Sequence, residues 1–184
     1  ALMVEFILAG QRFQALNGGP QFTHIAGYHA GLVIRSALLG LPAKVDYAAL
    51  PWVTFLDPEI ARVGLSEDEA KAKGIAHEVT TYQLHELDRA IADSATTGFV
   101  KVLTPPGKDK ILGATIVGDH AGELLAEYVL AMKHGIGLNK ILGTIHAYPT
   151  FAEANKYAAG NWKKAHKPEG LLNWVERYHD WRRG

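Results

Sequence analysis

The residues with the most chemistry to offer lie together at His146-Ala147-Tyr148-Pro149-Thr150-Phe151-Ala152-Glu153. An imidazole, a phenol and a carboxylate this close in sequence could act as an acid–base set on a small substrate, with His146, Tyr148 and Glu153 as the catalytic groups. The same residues have a plainer reading. Tyr148–Pro149 is an aromatic–proline bond, a kind with an appreciable cis population. Thr150 and Glu153 fit the Thr-x-x-Glu capping box. A loop, a rigid turn and a capped helix would account for the segment without any chemistry.

The chain has nine histidines and no cysteine. Without cysteine there is no disulfide, zinc–thiolate site or thiol nucleophile within it. His24 and His29 are five apart, a spacing that does not share a helix face, and His120 and Glu123 have no further ligand at metal spacing. No metal site is expected. The Gly-rich dinucleotide fingerprint, the phosphate-binding loop and the Gly-x-Ser-x-Gly elbow are also absent.

The elements that must position the loop follow from periodicity. Helices are expected at His24–Leu39, with Thr23 as N-cap, and at Ser66–Lys73, where Ser66 and Glu69 form a capping box. Strands are expected at Trp52–Leu56, Ile60–Leu65, Glu78–Leu84, Phe99–Leu103 and Lys110–Val117, the last two as a hairpin. Further helices are expected at Asp119–His134, Thr150–Lys164 and Leu171–Trp181, with a short helical turn around Leu138–Leu142. About five strands cluster in the middle, with about five helices chiefly toward the ends. That order argues for an α+β domain with an antiparallel sheet and helices on one face, and against a parallel doubly wound sheet. The aromatic stripe of the last helix is expected to cover the domain's own core.

Composition sets the outer bounds. Of 184 residues, 48% are hydrophobic and 21% charged, and the 19 basic residues cancel the 19 acidic ones. That balance argues against a nucleic-acid binder. The cluster at Lys163, Lys164, His166 and Lys167 reads as a solvated helix end. No apolar run reaches the roughly 20 residues of a membrane span. Val4–Ala9 has no basic leader, which argues against a signal peptide. No membrane partner and a cytoplasmic protein are expected.

Several ordered blocks carry a resemblance. They are Trp52-Val53-Thr54-Phe55-Leu56-Asp57-Pro58-Glu59, Val63-Gly64-Leu65-Ser66-Glu67, Gly98-Phe99-Val100-Lys101, Ile111-Leu112-Gly113-Ala114, and His146-Ala147-Tyr148-Pro149-Thr150 with Glu153. Together with Phe22–Ala30, these blocks resemble the flavin-dependent pyridine nucleotide–disulfide oxidoreductases, which include dihydrolipoamide dehydrogenase, glutathione reductase and mercuric reductase. The resemblance covers about Gly18 to Asn161, the end of the flavin-binding part and the C-terminal dimerisation domain. It implies an α+β antiparallel-sheet domain whose partner is a second copy of itself. It implies FAD and NAD(P) in the intact parent enzyme, and Thr23, Tyr148 and Pro149 as flavin-contacting positions. A cis Tyr148–Pro149 bond follows from the family's tight turn.

Two departures qualify what it implies. The flavin and nicotinamide domains, with the redox cysteine pair, are missing, so the chain is expected to be a truncated form with no flavin bound and no activity of its own. The organisation expected is an atypical segment over 1–17, the dimerisation domain over 18–164 and a C-terminal helix over 165–184. Second, Tyr148 stands where thiol–disulfide members carry a catalytic histidine oriented by the glutamate. A phenol with a pKa near ~10 is a poor base at neutral pH. Mercuric-reductase-like members lack this histidine too, so the parent looks closer to them.

Overall fold

The computed structural model describes residues 20–184. The expected N-terminal segment and the breaker at Asn17-Gly18-Gly19 lie outside the described residues. The chain divides into two compact units at Tyr47 and Ala48.

In the first unit, helix α1 (Thr23–Val33) runs into a π-helical turn at Ile34–Leu38. The N-cap is Phe22, not Thr23: Phe22 has extended backbone, and its carbonyl accepts from Ile25 and Ala26. Thr23 is therefore already the first helical residue, and its side chain is exposed. Ile25, Ala26 and His29 are buried. His29 Nε2 lies 2.7 Å from the Tyr47 hydroxyl, and the Tyr28 hydroxyl accepts from Asp46 N–H at 3.0 Å.

The second unit is built on one antiparallel sheet in the order β1-β2-β5-β4-β3. Its strands are β1 (Pro51–Thr54), β2 (Ile60–Gly64), β3 (Glu78–Gln83), β4 (Phe99–Thr104) and β5 (Gly113–Val117). Register shows how alternation makes the core. Ala61, Ile116, Val100 and Tyr82 lie in one cross-strand row, and Val63, Ala114 and Val102 in the next buried one. The row between them is Arg62, Thr115, Lys101 and Thr81, which points to the other face and stays partly exposed. Each branched aliphatic buried this way contributes about 1.5–3 kcal/mol.

Two long helices roof the apolar face. Helix α4 (Ala121–Lys133) packs on β1, β2 and β5, and helix α6 (Glu153–Ala165) on β3 and β4. Leu124, Leu125 and Tyr128 of α4 join Ala154, Ala158 and Trp162 of α6 in one core cluster. Short helix α5 (Leu138–Leu142) sits against α6. Helix α2 (Glu67–Ala72) reaches the polar face instead: Glu69 pairs with Arg62 at 3.1 Å and Glu67 with Lys101 at 3.6 Å. Helices therefore do not all lie on one face. Helix α3 (Asp88–Ala92) was not anticipated, and helix α7 (Glu169–Arg183) closes the chain.

Several expectations hold closely. The capping box of Ser66 and Glu69 is formed in both directions, and β4 and β5 pair as the expected hairpin. Others need correction. Strand β1 stops at Thr54, which pairs with Ile60 at the start of β2, and residues 55–59 form the connection between them. Strand β5 starts at Gly113, where a β-carbon would overlap the Leu65 carbonyl; this close crossing leaves room only for glycine. The aromatics of α7 do not cover the core. Trp174 is 62% and Trp181 79% exposed, and Tyr178 stacks on Trp174 along the same open stripe.

Candidate functional site

The loop between α5 and α6 carries the residues singled out from the sequence. Its Tyr148–Pro149 bond is cis, as expected. The loop is fastened at both ends. At one end the His146 side chain is nearly buried, with 6% exposed. Its Nδ1 faces the Thr144 carbonyl at 3.0 Å and its Nε2 faces Glu127 Oε1 at 3.0 Å. Glu127, on α4, is itself held through Oε2 by Asn155 Nδ2 of α6 at 2.9 Å, and the same amide donates to the Leu124 carbonyl at 3.0 Å. Both ring nitrogens are engaged within the fold.

At the other end Glu153 is buried, 5% exposed, without a cationic partner. Its Oε2 accepts the Thr150 N–H at 3.3 Å and its Oε1 the Tyr157 hydroxyl at 3.3 Å. This is half of the expected capping box. The Thr150 hydroxyl turns back to the Ala147 carbonyl at 2.7 Å, so Thr150 does not cap α6 with its side chain, and the helix begins only at Glu153 behind Ala152.

Between these anchors Tyr148 stands out from the surface, 68% exposed. A hydrogen bond to the Asp88 carboxylate on α3 raises its phenol above the ordinary value, and the charges of Asp88 and Glu153 add to the effect. Raising the pKa removes it further from service as a base near neutrality. His146, Tyr148 and Glu153 thus share one loop, yet each is bonded to a different group. The loop can present a phenol and the backbone around Pro149; as arranged, it does not form a hydrogen-bonded acid–base relay.

Asp88, Glu127, Asn155 and Tyr157 complete the arrangement and were missed in the sequence. Tyr157 lies one turn beyond Glu153, a spacing that could have found it. Glu127 and Asn155 are separated by 28 residues and carry no local signal.

Two backbone edges carry the positions singled out for a cofactor, the start of α1 and the Tyr148–Pro149 turn. The start of α1 has no side-chain cap and no acidic residue in its first turn, so its N–H groups and Thr23 suit an electron-rich ring edge. The Tyr148–Pro149 turn is the other such edge. No group of three or more metal-binding side chains occurs among the described residues.

The five-stranded antiparallel sheet, its two roofing helices and the cis-proline loop make an α+β domain. The solved HOCl-induced flavoprotein disulfide reductase RclA of Escherichia coli shares it with a TM-score of 0.72 at 26% identity, over 78% of this chain and 33% of that one. The chain belongs to the family described as pyridine nucleotide-disulphide oxidoreductase, dimerisation domain, whose model matches residues 50–159. Similar curated proteins include a mercuric reductase of Lysinibacillus sphaericus, 38% identical over 141 residues, covering 77% of this chain and 26% of that protein. A dihydrolipoyl dehydrogenase of Halobacterium salinarum is 41% identical over 141 residues, covering 77% of this chain and 30% of that protein. The chain thus spans less than a third of these relatives.

Proposed function

We propose that this chain is the homodimerisation domain of a FAD- and NAD(P)-dependent disulfide-reductase-like oxidoreductase, and that it is catalytically silent by itself. The observation that carries this reading is the dimerisation-domain match over residues 50–159, which takes in all five strands and most of α6. A flavin supplies electron transfer in such an enzyme; the residues of this chain pair the subunits and hold the loop. In the intact parent, Tyr148 and Pro149 are the positions that would meet the partner subunit's flavin, and Thr23 the one that would meet the flavin of its own subunit. His146 and Glu153 hold the loop from either side. Lipoamide or glutathione chemistry is not expected of the parent, since Tyr148 replaces the histidine base, and the parent is read as closer to mercuric-reductase-like members.

Exposed apolar side chains at the loop and on α4 support pairing: Ile145 is 95% exposed, Tyr148 68% and Leu130 58%. Light scattering at micromolar concentration should give twice the 20.0 kDa chain mass. A protein that stays monomeric would overturn the dimer reading. The purified chain should show no flavin absorbance and no nicotinamide oxidation. A yellow, active preparation would instead favour a self-sufficient enzyme.

A further inference from the structure

Far along α6 from the loop, a second histidine–glutamate pair is built into the sheet edge. Glu78 opens β3, the edge strand, and its carboxylate gathers donors from several elements. Thr104 Oγ1 of β4 donates at 3.1 Å, Trp162 Nε1 of α6 at 2.9 Å, and the Gly107 N–H donates from the turn after β4. His166 Nε2, just past α6, lies 3.0 Å from Oε1 and 3.1 Å from Oε2. The other ring nitrogen, Nδ1, is 2.8 Å from the Trp162 carbonyl, and the imidazole stacks on the Trp162 indole with centroids 4.3 Å apart.

The protonation state follows from what each neighbour can do. A carbonyl oxygen only accepts, so Nδ1 carries a proton. A carboxylate taking three other donors is ionised and also only accepts, so Nε2 carries one as well. The ring is then an imidazolium. Burial raises the Glu78 pKa, but the donors from Trp162, Thr104, Gly107 and His166 outweigh it and hold it below the ordinary value. The Trp162 carbonyl and then Glu78 raise that of His166, against burial.

We propose that His166 and Glu78 form a proton-controlled latch on the end of α6, closed with the imidazolium and opened when it loses a proton. Glu78 is the charged group that bonds the ring; Lys163, Lys164 and Lys167, its neighbours in sequence, are exposed to solvent. One turn earlier, Asn161 Nδ2 donates to the Thr81 carbonyl at 3.0 Å, an uncharged tie that does not respond to pH. Opening therefore frees only the last turn of α6 and the short Lys167-Pro168 connection from which α7 departs. The native pKa lies above that of a free histidine, about 6.5. The latch is thus at full strength below the free value and is lost as pH rises through the native one.

The test uses the full chain. NMR titration of the His166 ring should give a midpoint above that of a free histidine, and Glu78→Gln should move it down toward the free value. Amide exchange corrected for its intrinsic pH dependence should show residues 163–167 losing protection as pH rises through that midpoint, with Val100 and Ile116 unchanged. His166→Gln should abolish the step. A wild-type midpoint at or below the free value overturns the latch whether or not either variant folds. So does protection at 163–167 that ignores the midpoint, or a midpoint that Glu78→Gln leaves in place.

Discussion

At the scale of single residues, the loop separates groups that hold from groups that face outward. Glu153 is the clearest holder, because it is buried and satisfies two donors, the Thr150 N–H and the Tyr157 hydroxyl. Glu153→Ala takes the partner from both; the Tyr157 hydroxyl, on a residue 39% exposed, can turn to water, so the loss is that of ordinary hydrogen bonds, about 0.5–1.5 kcal/mol each. For a chain of this length each kcal/mol lowers the melting temperature by roughly 2–4 °C. Glu153→Gln keeps one oxygen acceptor and should cost clearly less, which thermal melting of the two variants checks. Equal losses would mean that the charge has a part that hydrogen bonding does not explain. Tyr148 is the outward-facing case. Its phenol is raised first by the hydrogen bond to Asp88, so Asp88→Asn should bring its titration midpoint down, read by NMR of the labelled tyrosine. Stability should barely move, since both side chains are exposed and surface changes away from special features usually stay within ~0.5 kcal/mol.

At the scale of elements, Ser66 and Glu69 show how much local sequence can specify. Their capping box is complete, and Glu69 also meets Arg62 on the polar face of the sheet. Ser66→Ala should destabilise by about 0.5–2 kcal/mol, the ordinary cost of a lost N-cap, measured by urea unfolding. The Ser66 N–H, then Arg62, hold the Glu69 carboxylate below its usual pKa even though burial opposes them. Its folded value is depressed, so its stabilisation is present above the unfolded pKa and fades as pH falls through the folded one. Where such cues are local, the sequence was legible: five strands, their hairpin, and α4 and α5 all fall near their expected places. Where the outcome depends on distant partners it was not. Thr150 has the residue type of a cap, yet its hydroxyl is taken by the Ala147 carbonyl. Helix α3 is too short for periodicity to show, and it brings the Asp88 that meets Tyr148. The partners of His146 depended on the packing of α4 against α6, which no spacing within the loop encodes.

At the scale of the whole molecule, what matters is which apolar surface belongs to the core and which is left over. The core lies between the inner face of the sheet and the pair α4 and α6, with Trp162 as its last large side chain before the chain leaves for α7. Trp174, Tyr178 and Trp181 recur at one helical stripe of α7, and Trp174 and Trp181 are mostly exposed, so they contribute little to that core. Helix α7 also lies beyond residues 50–159, where the family match ends. Ending the chain after Pro168 should therefore leave the melting temperature of the protein within a few degrees at low concentration. Its effect on assembly is a separate matter. A dimer is stabilised by mass action, so its melting temperature rises with protein concentration. If pairing uses the sheet domain alone, the shortened chain keeps both the doubled mass and this concentration dependence, in light scattering and in melts over a dilution series. If the stripe of α7 is part of the pairing surface, both are lost while the dilute melt stays where it was. A large fall in the dilute melt would instead place α7 within the folding unit and refute the division between core and surplus surface drawn from these exposures.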